Sequence, residues 1–225
     1  MKKIISTLIL TSLPMAALHA DPYYVQSGYY LTADAGYGYL FTPNNAQNAP
    51  TSNGTYNHGS AAGSLGGGYR WALDSFTTLG LEADYLYNGK ATYNNDATSF
   101  NGSGSYDGTA TITSQGAAIM AVFTSQWENG INIFGKAGLA YLMQDQSYSS
   151  PTVVAGTLVS GSDTNHAYDF IGVLGLGYMV TQNIDLFIDG TYTAGTSGGS
   201  WTSTSNTQNS IVESAQLKGG LSYYF

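Results

Sequence analysis

Eight segments of the chain alternate apolar and polar side chains with a period of two, and this pattern limits the fold more than any other feature. The segments cover residues 29–41, 60–71, 77–87, 110–124, 131–143, 167–180, 184–193 and 211–225. Successive side chains of a β-strand point to opposite faces, so this alternation predicts strands with one apolar and one polar face. We therefore predict an all-β chain of eight strands.

The connections between these segments alternate between short and long. Residues 72–76, 125–130 and 181–183 form short turns, and the second of these contains Asn129-Gly130, a pair that hairpins favour. The connections at 42–59, 88–109, 144–166 and 194–210 are long and rich in Asn, Ser, Thr and Gly. Short turns at one rim and long loops at the other are typical of membrane-spanning β-barrels. A soluble β-sandwich, in which loop lengths need not alternate, is the alternative.

The predicted strands have the length that a membrane requires. A tilted strand crosses with about 9–11 residues, whereas a helix needs about 20 apolar ones. Beyond the N-terminal segment, the longest apolar run covers about residues 170–180, which is strand length. Only 9% of the residues are charged. We expect a closed, antiparallel, eight-stranded, up-and-down transmembrane β-barrel.

The N-terminus has the features of a bacterial export signal. Lys2 and Lys3 precede an apolar stretch that ends near Leu18, and Ala-Leu-His-Ala then places small residues at the positions that signal peptidase reads. We expect residues 1–20 to be a signal peptide cleaved near Ala20, and residues 21–225 to form one barrel domain. A membrane-anchoring helix is the alternative, but the stretch is short and is broken by Pro14.

The charge of the predicted mature chain excludes some partners. Cleavage would leave four basic residues against 14 acidic ones, a net charge of −10. Such a chain repels nucleic acid, so we expect no nucleic-acid partner. The chain has no cysteine, so no disulfide framework supports the fold.

The C-terminal strand carries the most specific motif. Lys218, Gly220, Tyr223 and Phe225 place a polar residue, a glycine and two aromatic residues in the final stretch, the last of them at the C-terminus. This ending resembles the last strand of outer-membrane barrel proteins, which the barrel-assembly machinery reads. The resemblance implies that machinery as a partner, with an unpaired strand edge recognised by strand addition.

Further segments resemble the small-barrel family that includes the OmpA transmembrane domain and the opacity-type surface proteins. Residues 30–37 (YLTADAGY) resemble that family's first strand, residues 135–141 (GKAGLAY) its fifth, and residues 176–192 its strand-turn-strand ending. The likeness extends over nearly all of the predicted mature chain. It implies an eight-stranded barrel in the outer membrane of a Gram-negative bacterium, in contact with outer-membrane lipid. We expect no peptidoglycan-binding domain after the barrel.

The alternation assigns most charged side chains to the polar inner face. A lysine or arginine on the lipid face would cost about 2–4 kcal/mol at mid-bilayer, so the lumen is the favourable place for charge. Small barrels leave little interior space, which favours a lumen filled by paired charges over an ion path with acidic selectivity. We expect each of the three lumenal cations to contact a carboxylate. The predicted lumenal set is Asp34, Arg70, Glu82, Asp84, Lys136, Asp185, Asp189 and Lys218.

The sequence favours a non-enzymatic role. His58 and His166 fall in predicted loops, and the spacing of Asp163 and His166 is only a weak hint of a metal site. Glu82 and Asp84 are two acids on one face, but a small lumen has no room for a sugar substrate. We expect no enzyme, no cofactor and no metal.

These features leave three functions. The first is a structural or adhesin-like surface protein whose four long extracellular loops meet a host or environmental ligand. The second is a small, mildly cation-selective porin-like channel. The third is a soluble eight-stranded carrier, which would need an apolar interior and a polar exterior.

Overall fold

The computed structural model describes residues 25–41, 55–95, 108–154, 157–195 and 212–225 as an all-β chain. The predicted signal peptide and its cleavage position at Ala20 lie outside these residues. No helix in the described part is long and apolar enough to cross a membrane. The strands are β1 (Gly28–Phe41), β2 (Thr55–Asn57), β3 (Gly59–Ala72), β4 (Thr77–Asn95), β5 (Gly108–Gln126), β6 (Ile131–Val154), β7 (Thr157–Met179), β8 (Ile184–Thr193) and β9 (Glu213–Tyr224).

Eight of these strands close into an antiparallel barrel, as the sequence predicts. The sheet runs β4-β3-β1-β9-β8-β7-β6-β5, and β5 pairs with β4 to complete the ring. The closing seam joins β1 to β9 from Tyr30 opposite Tyr224 to Phe41 opposite Glu213. Closure pairs every barrel strand on both sides, which is the condition for placing strands in lipid.

Tight turns define one end of the barrel, called here the turn rim. Residues 73–76 close β3 onto β4, with Leu73 N–H donating to Thr77 O at 2.9 Å. Gly130 adopts φ = 85° in the β5–β6 turn, a left-handed conformation that favours glycine. Val180 N–H donates to Ile184 O at 2.8 Å in the β7–β8 turn. The opposite end is the loop rim.

The two faces of the barrel wall differ as the alternation predicts. The outer wall is apolar, and the inward side chains, among them Thr32, Glu82 and Asp189, are buried. This excludes the soluble carrier, which needs the opposite arrangement. Outward residues that are more than half exposed include Leu31, Leu65, Ile119, Leu139, Leu174 and Leu217.

Strands extend into two of the predicted long loops, which corrects the sequence-based boundaries. The β4–β5 ladder continues to Asn95 opposite Gly108, within predicted loop 88–109. The β6–β7 ladder continues to Val154 opposite Thr157, so nearly all of predicted loop 144–166 is a hairpin. Outside the lipid both faces of a strand meet water, so the apolar alternation ends although the backbone ladder continues.

These extensions form a raised sheet at the loop rim. It comprises residues 90–95 of β4, 108–113 of β5, 144–154 of β6 and 157–169 of β7, with β2 added to β4. On the other side of the barrel, β8 ends at Thr193 and β9 begins at Glu213. In the described part of the chain, the wall therefore extends further on the β4–β7 side.

A bulge at Gly89 explains why the alternation of β4 stops in the sequence. The β4–β5 register shifts between Tyr87 and Gly89, and Gly89 adopts φ = 108°. Asn88 faces inward and is buried, whereas beyond the bulge Lys90 is exposed and Ala91 is fully buried. The extra residue exchanges the inward and outward positions of the strand.

Candidate functional site: the lumen and the loop rim

A cross-lumen pair joins β6 to β4. Lys136 Nζ lies 2.5 Å from Glu82 Oε1, and the two side chains are only 9% and 1% exposed. Tyr30 on β1 donates its hydroxyl to Glu82 Oε2 at 2.7 Å. Glu82 thus accepts hydrogen bonds from strands on both sides of its own. These contacts link three strands that are not neighbours in the sheet.

A second cation is held on the opposite wall. Lys218 Nζ lies 3.0 Å from Asp34 Oδ2 and 3.8 Å from Asp189 Oδ1. Ser64 donates its hydroxyl to Asp34 Oδ2 at 2.6 Å, and Thr191 donates to Asp189 Oδ1 at 2.9 Å. Both carboxylates are therefore also hydrogen-bonded, as buried charges require.

Arg70 forms no ion pair within the described part of the chain, contrary to the sequence-based expectation. Its Cζ lies 3.5 Å from the ring centroid of Tyr224, and its Nε donates to Gln26 O at 2.9 Å. Asp185, which the sequence offers as a partner, instead accepts a hydrogen bond from Asn132 Nδ2 at 3.0 Å. Alternation identifies the face of a strand but not which ring lies beside a given side chain, so the stacking partner had no sequence signal.

The lumen also contains acids outside the ion pairs described above. Asp84 lies two residues from Glu82 on the same face and is 5% exposed, and no ion pair involving it is found among the described residues. Asp169 also faces inward and is buried, although the predicted set omits it. Asp169 is an even number of residues from Gly175 and Gly177, which lie on the inner face of β7. This spacing along the strand could have identified it.

Apolar side chains close the loop-rim half of the lumen. One cluster lines the β4–β7 wall and consists of Leu86, Ala118, Met120, Ala140, Leu142 and Ile171. The other brings opposite walls together and consists of Leu40, Ala91, Ile112 and Val212. Between the walls, Gln216 Nε2 donates to Asn88 Oδ1 at 2.7 Å. A hydrated ion would have to displace these contacts in order to pass.

A small cavity remains in the turn-rim half. Its volume is about 30 Å³, and its lining includes Arg70, Glu82, Lys136 and Asp185. A water molecule needs roughly 10–15 Å³ of such volume, so the cavity has room for one or two waters. No organic substrate fits in it.

The C-terminal motif splits between the two faces of β9. Tyr223 and Phe225 lie on the outer wall, 43% and 71% exposed, with ring centroids 5.1 Å apart. Gly220 lies beside the Phe187 ring, and Lys218 points into the lumen. Phe225 N–H donates to Tyr29 O at 3.1 Å, which fixes the last residue to the closing seam.

The two histidines of the described residues pack against aromatic side chains. His58 stacks on Tyr39 at 5.2 Å and His166 stacks on Tyr141 at 5.8 Å, both at the loop rim. In the described part of the chain, no three His, Cys, Asp or Glu side chains are grouped so that they could hold a metal ion.

A family match agrees with this architecture. The family described as outer membrane protein beta-barrel domain matches residues 5–225. Neisserial surface protein A is similar, with 19% identity over 88% of this chain and 98% of its own, and a TM-score of 0.44. The attachment invasion locus protein Ail of Yersinia pestis has 12% identity, with 89% and 100% coverage and a TM-score of 0.46. Outer membrane protein OprG from Pseudomonas aeruginosa has 13% identity, with 91% and 99% coverage and a TM-score of 0.43. No curated protein sequence matches the chain.

Proposed function

Because the chain belongs to the outer membrane protein beta-barrel domain family, we propose that it is a surface-interaction barrel that acts through its raised sheet. The family consists of Gram-negative outer-membrane barrels and includes both adhesins and porins. The turn rim then faces the periplasm, and the raised sheet faces the cell exterior.

The observation that carries this proposal is the extension of the wall on the β4–β7 side. The β6–β7 ladder continues to Val154 opposite Thr157, whereas β8 ends at Thr193 opposite Ile171. A barrel that only spans lipid needs no such extension, and an ordered sheet offers a partner a surface of fixed shape at little entropic cost. We expect a host or environmental ligand to bind there.

The second candidate function is a small cation-selective channel. It is favoured by the excess of carboxyl groups over basic groups in the lumen, where Glu82, Asp84, Asp169, Asp185 and Asp189 are all buried. The apolar clusters around Met120 and Ile112 argue against it, because an apolar constriction excludes hydrated ions. We therefore prefer the closed barrel.

Two further proposals concern export and assembly. Residues 1–20 are a signal peptide cleaved near Ala20, a proposal that the N-terminal sequence of protein purified from the outer membrane tests. The barrel-assembly machinery reads Lys218, Gly220, Tyr223 and Phe225 before the β1–β9 seam closes. We propose no enzymatic activity, since the small cavity and the tyrosine-stacked histidines offer no substrate site.

One experiment separates the two candidate functions. The purified full chain is reconstituted in planar bilayers, and Gram-negative cells that display it are tested for binding to immobilised matrix proteins and glycans. The matched variant replaces residues 146–163 with an Asn-Gly turn, which removes the tip of the β6–β7 hairpin and leaves the barrel intact. We expect no stable conductance and a loss of cell binding in the variant. Stable cation conductance together with unchanged cell binding would overturn the proposal.

A further inference from the structure

The seam between β1 and β9 closes the barrel across the longest sequence separation. It pairs residues 30–41 with residues 213–224, whereas the other barrel ladders join strands that are consecutive within the barrel. Bringing distant parts of a chain together costs more conformational entropy than closing a hairpin, so we expect the seam to form last. A slip of the seam by two residues would leave the apolar face outside. Alternation alone therefore does not fix the register of the seam.

Lys218 on β9 contacts a carboxylate on each of the two strands that flank it. Its Nζ lies 3.8 Å from Asp189 Oδ1 on β8 and 3.0 Å from Asp34 Oδ2 on β1. The three side chains are 5% exposed or less. Asp189 lies directly opposite Lys218 in the β8–β9 ladder, so their contact does not depend on closure of the seam. The contact with Asp34 does.

Asp34 is oriented by the strand on its other side. Ser64 on β3 donates its backbone N–H to Asp34 Oδ1 at 2.6 Å and its hydroxyl to Asp34 Oδ2 at 2.6 Å. The two residues are paired in the β1–β3 ladder, so these bonds also do not depend on the seam. Each half of the seam ion pair is therefore held by a neighbour on its own side. Joining the halves costs little further side-chain entropy.

Two glycines fit the seam to the observed register. Gly36 lies opposite Lys218, and Gly220 lies opposite Asp34. A Cβ at Gly36 would lie 2.6 Å from Lys218 Cα, and a Cβ at Gly220 would lie 2.8 Å from Asp34 Cβ. Each charged side chain of the pair thus faces a position where the other strand has no side chain, which allows the two backbones to approach closely.

A slip of two residues in either direction removes one of these features. The first slip places Lys218 opposite Gly38, so that Asp34 lies about 13 Å further along β1, beyond the reach of a lysine side chain. The second slip places Lys218 directly opposite Asp34, where neither strand has a glycine. Of these three registers, only the observed one combines the ion pair with a glycine opposite each charge.

We propose that Lys218 and Asp34, each opposite a glycine, fix the register in which β9 closes onto β1. The proposal rests on the assembly role proposed above for the C-terminal motif and adds a second step to it. Tyr223 and Phe225 lie on the outer wall, where an assembly partner has access to them. Lys218 and Gly220 lie on the inner face and act when the seam closes.

Disulfide trapping reports the register, because the chain has no cysteine of its own. Ala35→Cys/Gly219→Cys places two cysteines opposite each other on the outer wall in the observed register, and a Cβ at Gly219 would lie 3.7 Å from its nearest neighbour, Phe187 O. Ala35→Cys/Leu221→Cys does the same for the first slip, and Ala33→Cys/Gly219→Cys for the second. Positions two residues out of register lie about 7–8 Å apart, too far for an unstrained disulfide.

Each cysteine pair is refolded from urea into liposomes without the assembly machinery and then oxidised, with heat-modifiable mobility as the check on folding. We expect the otherwise wild-type chain to trap only the observed register. Lys218→Met should raise the ratio of first-slip to observed-register disulfide by about tenfold or more, as expected for the loss of a hydrogen bond to a charged group. Lys136→Met is the matched control, since it removes a lumenal cation that contacts Glu82 away from the seam, and it should trap only the observed register.

Asp34→Asn tests the same ion pair with a side chain of unchanged size, and it decides the outcome if Lys218→Met does not fold. It should also raise the share of the first slip. Trapping of the observed register alone by the folded variants of Lys218 and Asp34 would overturn the proposal. An equal rise of the first slip in Lys136→Met would also overturn it, because the effect would then not depend on the seam.

A second arm separates this proposal from the assembly role on which it rests. Tyr223→Ser/Phe225→Ser changes only the outer wall of β9. It should slow assembly into liposomes that contain the purified barrel-assembly machinery and leave the register trapped without the machinery unchanged. Assembly at the wild-type rate would show that the machinery does not read these two residues. The register trapped in Lys218→Met would still decide whether the ion pair sets the seam.

Discussion

Lys136 on β6 lies 2.5 Å from Glu82 on β4, with the inner face of β5 between their strands. The pair is buried, and Tyr30 on β1 adds a hydrogen bond to the same carboxylate. Removing Lys136 would leave the buried Glu82 carboxylate without its counter-charge. The intact pair adds little to the free energy of unfolding, but removing one partner should lower that free energy strongly.

Replacement of Lys136 by Met should lower the free energy of unfolding by about 3–5 kcal/mol, because it leaves Glu82 buried without a counter-charge. The double variant Lys136→Met/Glu82→Gln should recover most of that loss. Urea unfolding of the purified barrel in detergent measures both, with heat-modifiable mobility as a check on folding. A single variant as stable as the wild type would argue against a tightly paired contact.

Alternation was sufficient to assign faces, but not to assign partners across the lumen. It correctly placed Asp34 and Lys218 inside, and adjacent strands then bring them within 3.0 Å. The partner of Arg70 depends on strand tilt and stagger, which a period of two does not encode, and it proved to be Tyr224. The raised sheet was missed because strands that are wet on both faces have no apolar period. The Gly89 bulge was missed because it exchanges the two faces within one strand.

Gly177 should not tolerate a side chain, because a Cβ there would lie 2.6 Å from Asn132 Oδ1 and 2.8 Å from Asp185 Oδ1. Gly177→Ala is expected to lower the free energy of unfolding by about 1–3 kcal/mol, the usual cost of overpacking. Gly172 on the same strand is the matched control, since a Cβ there meets nothing within 4 Å. Urea unfolding of the two variants compares them. Equal stabilities would mean that the Asn132–Asp185 hydrogen bond does not depend on a glycine beneath it.

Making the loop-rim cluster polar should open the lumen. Leu40 and Ile112 are both fully buried where opposite walls meet, so Leu40→Ser/Ile112→Ser replaces an apolar constriction with hydroxyl groups that water can wet. We expect planar bilayers to show no conductance for the wild type and a small, cation-preferring conductance for this variant. Leu65→Ser on the outer wall is the control and should not conduct. Conductance of the wild type at the level of the double variant would show that the cluster is not a barrier.

The β3–β4 turn offers a direct titration. Phe76 N–H donates to Asp74 Oδ1 at 2.7 Å, and this bond lowers the pKa of Asp74 below its ordinary value. A carboxyl whose pKa is lower in the folded state stabilises the fold above its unfolded pKa, and the contribution is lost as the pH falls through the folded pKa. An NMR titration should show the Asp74 carboxyl and the Phe76 amide shifting together at the depressed pKa. In Asp74→Asn the Phe76 shift should disappear, and a normal or raised Asp74 pKa would contradict the turn geometry.

The contact of Arg70 with Tyr224 crosses the seam that closes the barrel. Arg70 belongs to β3 and Tyr224 to β9, so the guanidinium reaches past β1 to the inner face of the last strand, where Tyr30 also lies 5.5 Å from the Tyr224 ring. Desolvated cation–π contacts contribute about 2 kcal/mol and exposed ones about 0.5–1, so Arg70→Met should cost an amount in that range. Tyr224→Phe keeps the ring and should cost less stability than Tyr224→Leu, which should lose about as much as Arg70→Met.

The double variant decides whether the two side chains act as a pair. Combining Arg70→Met with Tyr224→Leu should cost little more than either change alone, because each one already removes the shared contact. Refolding into liposomes should slow in the same variants if the contact forms as β9 meets β1. Fully additive losses with an unchanged refolding rate would mean that Arg70 and Tyr224 stabilise the barrel independently and that the seam closes without them.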